Sequence, residues 1–194
     1  ALLISMIHQC YFIRTGPYLE NAIGFAGSAV GPVMAIGQVS EILVLAVLGL
    51  FIKNLGYKWV LVLGTLSFVL RYGLFAYVLS SEEPSKGVVQ AAMILHGFNY
   101  GCFFAGAFLY VEKIAPPNIR HSAQTVFGII ILGLGPVLAG AYNQYFDRFK
   151  DAHDAQQYQQ FWYTQSGIAL VAMLVILAVF RQAKEAATDE NSVT

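Results

Sequence analysis

The sequence contains little charge. Only 11% of its 194 residues are charged, and 11 Lys and Arg balance 11 Asp and Glu. Nucleic-acid-binding proteins show a basic excess, so this balance argues against a nucleic-acid partner. The two cysteines, Cys10 and Cys102, lie in apolar runs and form neither a disulfide framework nor a C-x-x-C metal motif. We therefore expect no metal and no cofactor.

Enzyme motifs are also missing. The sequence has no H-E-x-x-H zinc motif and no P-loop. Gln165-Ser166-Gly167 approaches the G-x-S-G signature of an intramembrane serine protease, but it lacks the first glycine and lies at the start of a predicted helix. The Asn-Pro-Ala repeats of water channels do not occur. The sequence therefore predicts a protein that is not an enzyme.

Long apolar runs are what the sequence has in abundance, since 57% of its residues are hydrophobic. About 20 consecutive apolar residues cross a bilayer as a helix. The runs predict an all-α membrane protein with six transmembrane helices, at about 1–12, 28–51, 59–79, 88–111, 122–142 and 161–180, followed by a polar tail at 181–194. The chain opens inside an apolar run that lacks the basic start of a signal peptide. We therefore expect it to be half of a longer protein.

The segments between these runs carry breakers and charge. Arg14-Thr15-Gly16-Pro17 is predicted to end the first helix, Gly49 to Lys58 is predicted to form a hairpin that turns at Gly56, and Asn143 to Gln160 a polar loop. Basic residues favour the second and fourth loops and the tail: Lys53, Lys58, Lys113, Arg120, Arg181 and Lys184. The positive-inside rule therefore predicts a cytoplasmic C-terminus.

Three ionisable residues lie at membrane depth. A carboxylate in the middle of a bilayer costs several kcal/mol, so Glu41 calls for a function or a partner. At about 1.5 Å per residue, Glu41 lies about 15 Å and Arg71 about 20 Å from the cytoplasmic end, while His96 lies about 12 Å from the other side. The three side chains are therefore predicted to meet near the midplane, together with Gln38, which shares a helical face with Glu41.

Each of these residues has a second interpretation. Glu41 could bind solute or protons, or could form a structural ion pair with Arg71, which would make it a poor proton carrier. Arg71 could instead extend its charge to the outer interface. His96 could be a packing histidine, or it could form a polar face with Asn99 and Tyr100.

Four stretches carry a resemblance to a known family. They are Gln38-Val39-Ser40-Glu41, Leu70-Arg71-Tyr72-Gly73-Leu74-Phe75-Ala76-Tyr77, Tyr110-Val111-Glu112-Lys113 and Ile119-Arg120-His121-Ser122-Ala123-Gln124. In order and spacing they resemble the C-terminal half of the nucleoside:proton symporters of the major facilitator superfamily. The resemblance implies helices seven to twelve of a twelve-helix transporter, a missing N-terminal six-helix half, and a bacterial cytoplasmic membrane.

The resemblance also implies proton-driven uptake of nucleosides by alternating access, with substrate contacts at Gln9, Gln38, Glu41, His96 and Tyr100. A carboxylate accepts hydrogen bonds from ribose hydroxyls, and an aromatic ring stacks on a base. Glu41 could also carry the proton.

The sequence departs from the family pattern at three positions. His96 replaces an aromatic residue, Gly101 replaces an acidic one, and Phe12 replaces a polar one. Two alternatives therefore stand beside nucleoside transport: a carrier of the same superfamily for another polar solute such as a sugar, and a six-helix membrane protein without transport of its own.

Overall fold

The computed structural model describes residues 1–148 and 154–180, and this part of the chain is helical. The helices are α1 (Leu2–Pro17), α2 (Gly27–Tyr77), α3 (Lys86–Phe98), α4 (Gly106–Ile114), α5 (Arg120–Gly128), α6 (Gly135–Arg148) and α7 (Ala155–Val179). Three π-helical segments, Tyr18–Ala22, Asn99–Ala105 and Ile129–Leu134, follow α1, join α3 to α4 and join α5 to α6. The predicted tail at 181–194 lies outside the described residues.

The long apolar helices agree with the prediction of an all-α membrane protein. Within the described residues, four helical stretches are long and apolar enough to cross a bilayer, against the six predicted: Gly27–Ser80, Lys86–Ile114, Arg120–Phe146 and Ala155–Val179. Large apolar side chains are also exposed on the surface, as at Ile42 (68%), Val137 (67%) and Val179 (71%). Such a surface suits a lipid environment, in which exposed apolar side chains carry no cost.

The hairpin predicted between Gly49 and Lys58 is shorter in the structure, although the turn lies at Gly56 as predicted. The chain stays helical through this segment, and the backbone leaves helical geometry only at Gly56, with φ 76° and ψ 163°. Glycine adopts a positive φ without steric cost, so one residue is enough to interrupt the helix. Gly56 thus divides α2 into a first part, Gly27 to Leu55, and a second part, Tyr57 to Tyr77.

Both parts of α2 pack along the helical stretch Lys86–Ile114, in opposite directions. In the first part, positions 37, 40 and 44 approach positions 96, 97 and 101, so the two helices run in the same direction. In the second part, positions 60, 64 and 71 approach positions 106, 103 and 96, so the helices run in opposite directions. The two parts of α2 are therefore antiparallel to each other, and both reach the level of His96.

Glycines permit this close packing. A Cβ on Gly97 would collide with Ser40, and a Cβ on Gly64 would lie 2.6 Å from the backbone nitrogen of Phe103. A Cβ on Gly37 would lie 3.0 Å from the Cβ of His96. Small residues let membrane helices approach closely, and here they bring the polar residues of α2 and α3 within contact distance.

The first helix is longer than the predicted span of 1–12 and ends at Pro17, the last residue of the predicted terminating segment. The helix α1 continues through Arg14 to Pro17, because Arg14 is buried rather than solvated. Its Nε donates to Oδ1 of Asn143 at 2.6 Å, and its Nη2 donates to the backbone oxygen of the same residue at 3.3 Å. Pro17 is the last residue of α1, and the chain continues directly into the π-helical segment Tyr18–Ala22.

Most of the polar segment from Asn143 to Gln160 is helical instead of a loop. The helix α6 runs to Arg148, and α7 begins at Ala155, where Asp154 accepts a hydrogen bond from the backbone nitrogen of Gln156 at 2.8 Å. An aspartate at this capping position stabilises a helix start. The many polar residues of this segment made it resemble a loop, although Asn143 and Gln157 are buried in the helices.

Candidate solute-binding cavity

A cavity of about 250 Å³ lies between α1, α2, the stretch Lys86–Ile114 and the π-helical segment before α6. Its walls are formed by Ser5, His8, Gln9, Phe12, Gln38, Glu41, His96, Tyr100, Phe104, Phe108, Ile131 and Leu132. Apolar and aromatic surface with a few converging polar groups is the usual composition of a small-molecule site.

The predicted site residues meet at this cavity. Gln9, Gln38, Glu41, His96 and Tyr100 all line it, although they come from three separate parts of the chain. Arg71 does not line it and contacts it only through His96. The structure thus brings the predicted residues together, while their roles stay predictions.

His96 is at the centre of the polar contacts. Its Nδ1 lies 2.7 Å from Nη1 of Arg71, and its Nε2 lies 3.5 Å from Oε2 of Glu41 and 3.2 Å from Nε2 of Gln38. The imidazole is 1% exposed, whereas the Glu41 side chain is 20% exposed. The charge nearest the open cavity is therefore that of Glu41, and His96 connects it to the buried arginine.

The position of Arg71 settles two alternatives. Its side chain is fully buried, so it does not extend to the membrane interface. Within the described part of the chain, Arg71 and Glu41 form no direct ion pair, because His96 lies between them. Glu41 thus faces the cavity without a cation directly bound to it.

Aromatic rings cover the remaining surface of Arg71. The guanidinium carbon lies 3.7 Å from the centroid of the Tyr11 ring, and the rings of Tyr72 and Phe75 lie at 5.5 Å and 5.7 Å. Its Nε and Nη2 have no hydrogen-bond partner among the residues that the structure describes. A desolvated cation over an aromatic face gains about 2 kcal/mol or more, which offsets part of the cost of its burial.

The sequence reasoning missed part of the cavity wall. His8 stacks on His96 with ring centroids 5.4 Å apart and planes 19° apart, and it also contacts Phe104 at 4.8 Å. Helical spacing could have identified these residues, because positions 5, 8, 9 and 12 share one face of α1 and positions 96, 100, 104 and 108 one face of the stretch Lys86–Ile114.

The described residues include no group of three or more His, Cys, Asp or Glu side chains placed to hold a metal ion. The described residues that line the cavity offer hydrogen-bonding groups, aromatic rings and the carboxylate of Glu41.

A family profile described as "Nucleoside H+ symporter" matches residues 1–185. Among curated proteins, YegT of Escherichia coli K12 is 32% identical over 143 residues, 71% of this chain and 32% of YegT. The nucleoside permease NupG of the same organism is 28% identical over 150 residues, 77% of this chain and 35% of NupG. The xanthosine permease of E. coli K12 is 24% identical over 196 residues, 93% of this chain and 45% of that protein.

Solved structures show the same fold. The crystal structure of a mutant of the nucleoside transporter NupG matches with a TM-score of 0.78 at 24% identity, over 93% of this chain and 47% of the other. A second crystal structure of NupG matches with a TM-score of 0.74 at 23% identity. The chain spans between about a third and a half of the length of the relatives it matches.

Proposed function

This chain belongs to the nucleoside H+ symporter family, and on that premise we propose that it takes part in proton-coupled uptake of nucleosides by alternating access. Its relatives include proteins named for nucleoside and xanthosine transport. The single observation that carries the proposal is the cavity in which Gln9, Gln38, Glu41, His96 and Tyr100 converge.

The chemistry of the cavity suits a nucleoside. The partly exposed carboxylate of Glu41 can accept two hydrogen bonds from ribose hydroxyls. The amides of Gln9 and Gln38 can match donor and acceptor groups of a sugar or a base. Tyr100, together with Phe12 and Phe104, offers rings on which a base can stack, at about 1–3 kcal/mol per base.

Glu41 is the residue we propose for proton coupling. It is the only acidic residue that lines the cavity within the described chain, and no cation contacts it directly. A carboxylate that binds a proton in one orientation of the transporter and releases it in the other couples proton movement to that of the solute. His96 and the Gln38 amide beside it can stabilise the ionised form.

We further propose that the chain crosses the membrane six times. The second part of α2, antiparallel to the first, counts as a separate crossing, and α1 counts as another despite its 16 residues. With six crossings, the excess of basic residues in the second and fourth loops and the tail supports a cytoplasmic C-terminus by the positive-inside rule, and the bacterial relatives support an inner-membrane location. The chain then acts as the C-terminal half of a transporter, with an N-terminal six-helix half as its partner.

Uptake competition tests this function. The full-length transporter that contains this chain is expressed in cells without their own nucleoside carriers, and radiolabelled uridine uptake is measured with excess unlabelled uridine, adenosine or sugar. We expect both nucleosides to compete and sugars not to. Competition by a sugar as strong as that by the nucleosides would extend the substrate to other polar solutes, and no uptake of uridine by protein shown to reach the membrane would count against nucleoside transport.

A further inference from the structure

The contact between Arg71 and His96 limits the protonation state of the imidazole. A guanidinium has five N–H donors and no acceptor, so at 2.7 Å its Nη1 can only donate to Nδ1 of His96. A proton on Nδ1 would oppose this donor. The geometry therefore excludes both the Nδ1–H tautomer and the imidazolium, and leaves the neutral ring with its proton on Nε2.

The opposite edge of the ring faces the cavity. With the proton on Nε2, His96 is a donor toward Oε2 of Glu41 at 3.5 Å. The Gln38 atom nearest to this N–H is Nε2, at 3.2 Å, which is also a donor. Two donors cannot bond each other, so the Gln38 amide is rotated by 180° in this tautomer, which brings its oxygen to the ring. The cavity thus presents one fixed N–H donor beside two acceptor groups.

We propose that Arg71 is a positioning residue that acts on bound solute through His96, by holding its proton on Nε2. Without solute this N–H is directed at the Gln38 oxygen. A solute hydroxyl that donates to Glu41 can replace that oxygen as the acceptor, so the fixed tautomer favours solutes that donate and accept through the same atom. Arg71 itself is fully buried and contacts no cavity space.

The surroundings of Arg71 support a directing role over a purely structural one. Among the described residues, Nε and Nη2 of Arg71 find no acceptor and its guanidinium no carboxylate partner, and burying an arginine in this way costs free energy that simple packing would not require. The guanidinium lies against the Tyr11 ring, 3.7 Å from its centroid. Among the described residues, its one hydrogen bond goes to His96, which lines the cavity. The side chain of His8 packs on the same imidazole and keeps its plane fixed.

Nuclear magnetic resonance tests the tautomer without a transport assay. The full-length protein is labelled with ¹⁵N in its histidine rings, and the His96 signals are assigned by their loss in His96→Phe. We expect an unprotonated Nδ1 and a protonated Nε2 in the unmodified protein and in Arg71→Lys, and a tautomer mixture in Arg71→Met. A proton on Nδ1 in the unmodified protein would overturn the proposal even if neither Arg71 variant folds.

Transport kinetics test whether Arg71 acts through His96, and this part rests on the proposed function. We expect Arg71→Met to raise the KM for uridine by about 3- to 10-fold, the effect of one lost hydrogen bond, and Arg71→Lys to retain most of the affinity. In a His96→Phe background, Arg71→Met should change KM no further. An equal effect in both backgrounds would overturn the proposal.

The two experiments fail independently. If the unmodified protein takes up no uridine, the proposed function fails, while the ring spectrum still shows whether Arg71 fixes His96. If uridine is taken up but the spectrum shows His96 with its proton on Nδ1, the proposed function stands and the role of Arg71 is wrong.

Discussion

The backbone of Gly37 packs directly against the side chain of His96. A Cβ at position 37 would lie 3.0 Å from Cβ and 3.2 Å from Cγ of the histidine. This contact sets the distance between the first part of α2 and α3. Because Glu41 and Gln38 lie on α2, it also sets the distance from these two side chains to the imidazole of His96.

We expect Gly37→Ala to weaken uptake. The added methyl group must displace the imidazole, and overpacking of this kind costs about 1–3 kcal/mol. The KM for uridine should rise by about tenfold, since 1.4 kcal/mol corresponds to a factor of ten. Gly49→Ala is the matched control, because a Cβ there meets nothing within 4 Å. Equal kinetics for the two variants would show that this contact does not set the cavity.

Glu41→Gln should separate solute binding from proton coupling. The amide keeps the size of the side chain and part of its hydrogen bonding, but it cannot bind and release a proton. We expect nucleoside exchange across a proteoliposome membrane to persist while uptake loses its dependence on external pH. Glu82→Gln, at an exposed position, should retain the pH dependence of the unmodified protein. A pH dependence that survives in Glu41→Gln would assign proton coupling to another group.

Gly97→Ala should destabilise the helix pair that carries the cavity. A Cβ at this position would collide with the backbone and hydroxyl of Ser40, whose Oγ donates to the backbone oxygen of Ile94 at 2.6 Å. We expect a loss of about 1–3 kcal/mol, measured as a lower midpoint of thermal unfolding in detergent. Gly167→Ala adds a methyl group where nothing lies within 4 Å, and its midpoint should stay within error of the unmodified protein.

Asn143→Ala should affect stability and leave the cavity intact. Asn143 is 4% exposed and accepts from the Arg14 guanidinium at 2.6 Å, and hydrogen bonds to charged groups contribute about 1.5–3 kcal/mol. The melting midpoint should fall, while the KM for uridine of the folded protein should not change. Asn54→Ala, at an exposed position, provides the comparison. A changed KM with an unchanged midpoint would place Asn143 in the transport pathway.

The sequence was informative where polar residues interrupt apolar runs. Counting helix rise from the ends of the runs brought Glu41, Arg71 and His96 to one depth, and the structure connects them through His96. That arithmetic works because a membrane fixes where helices begin and end. It could not tell which pair of the three is in direct contact, since side-chain contacts depend on the rotation of each helix.

Polar residues misled the sequence reasoning where they are buried and paired. Arg14 and Asn143 satisfy each other between α1 and α6, so both helices continue through segments that looked like loops. The helix is interrupted at a single residue, Gly56, where a ten-residue hairpin was predicted, because the positive φ of this one glycine is enough. Hydropathy alone predicts neither the pairing of two distant polar side chains nor the backbone angle of one residue.

Sensitivity of nucleoside uptake to the proton gradient tests the central claim most directly. Radiolabelled uridine uptake by the full-length transporter is measured in cells without other nucleoside carriers, with and without a protonophore. If a carboxylate in the cavity couples protons to nucleosides, uptake should collapse to simple equilibration when the protonophore is added. Concentrative uptake that persists in its presence would contradict proton coupling.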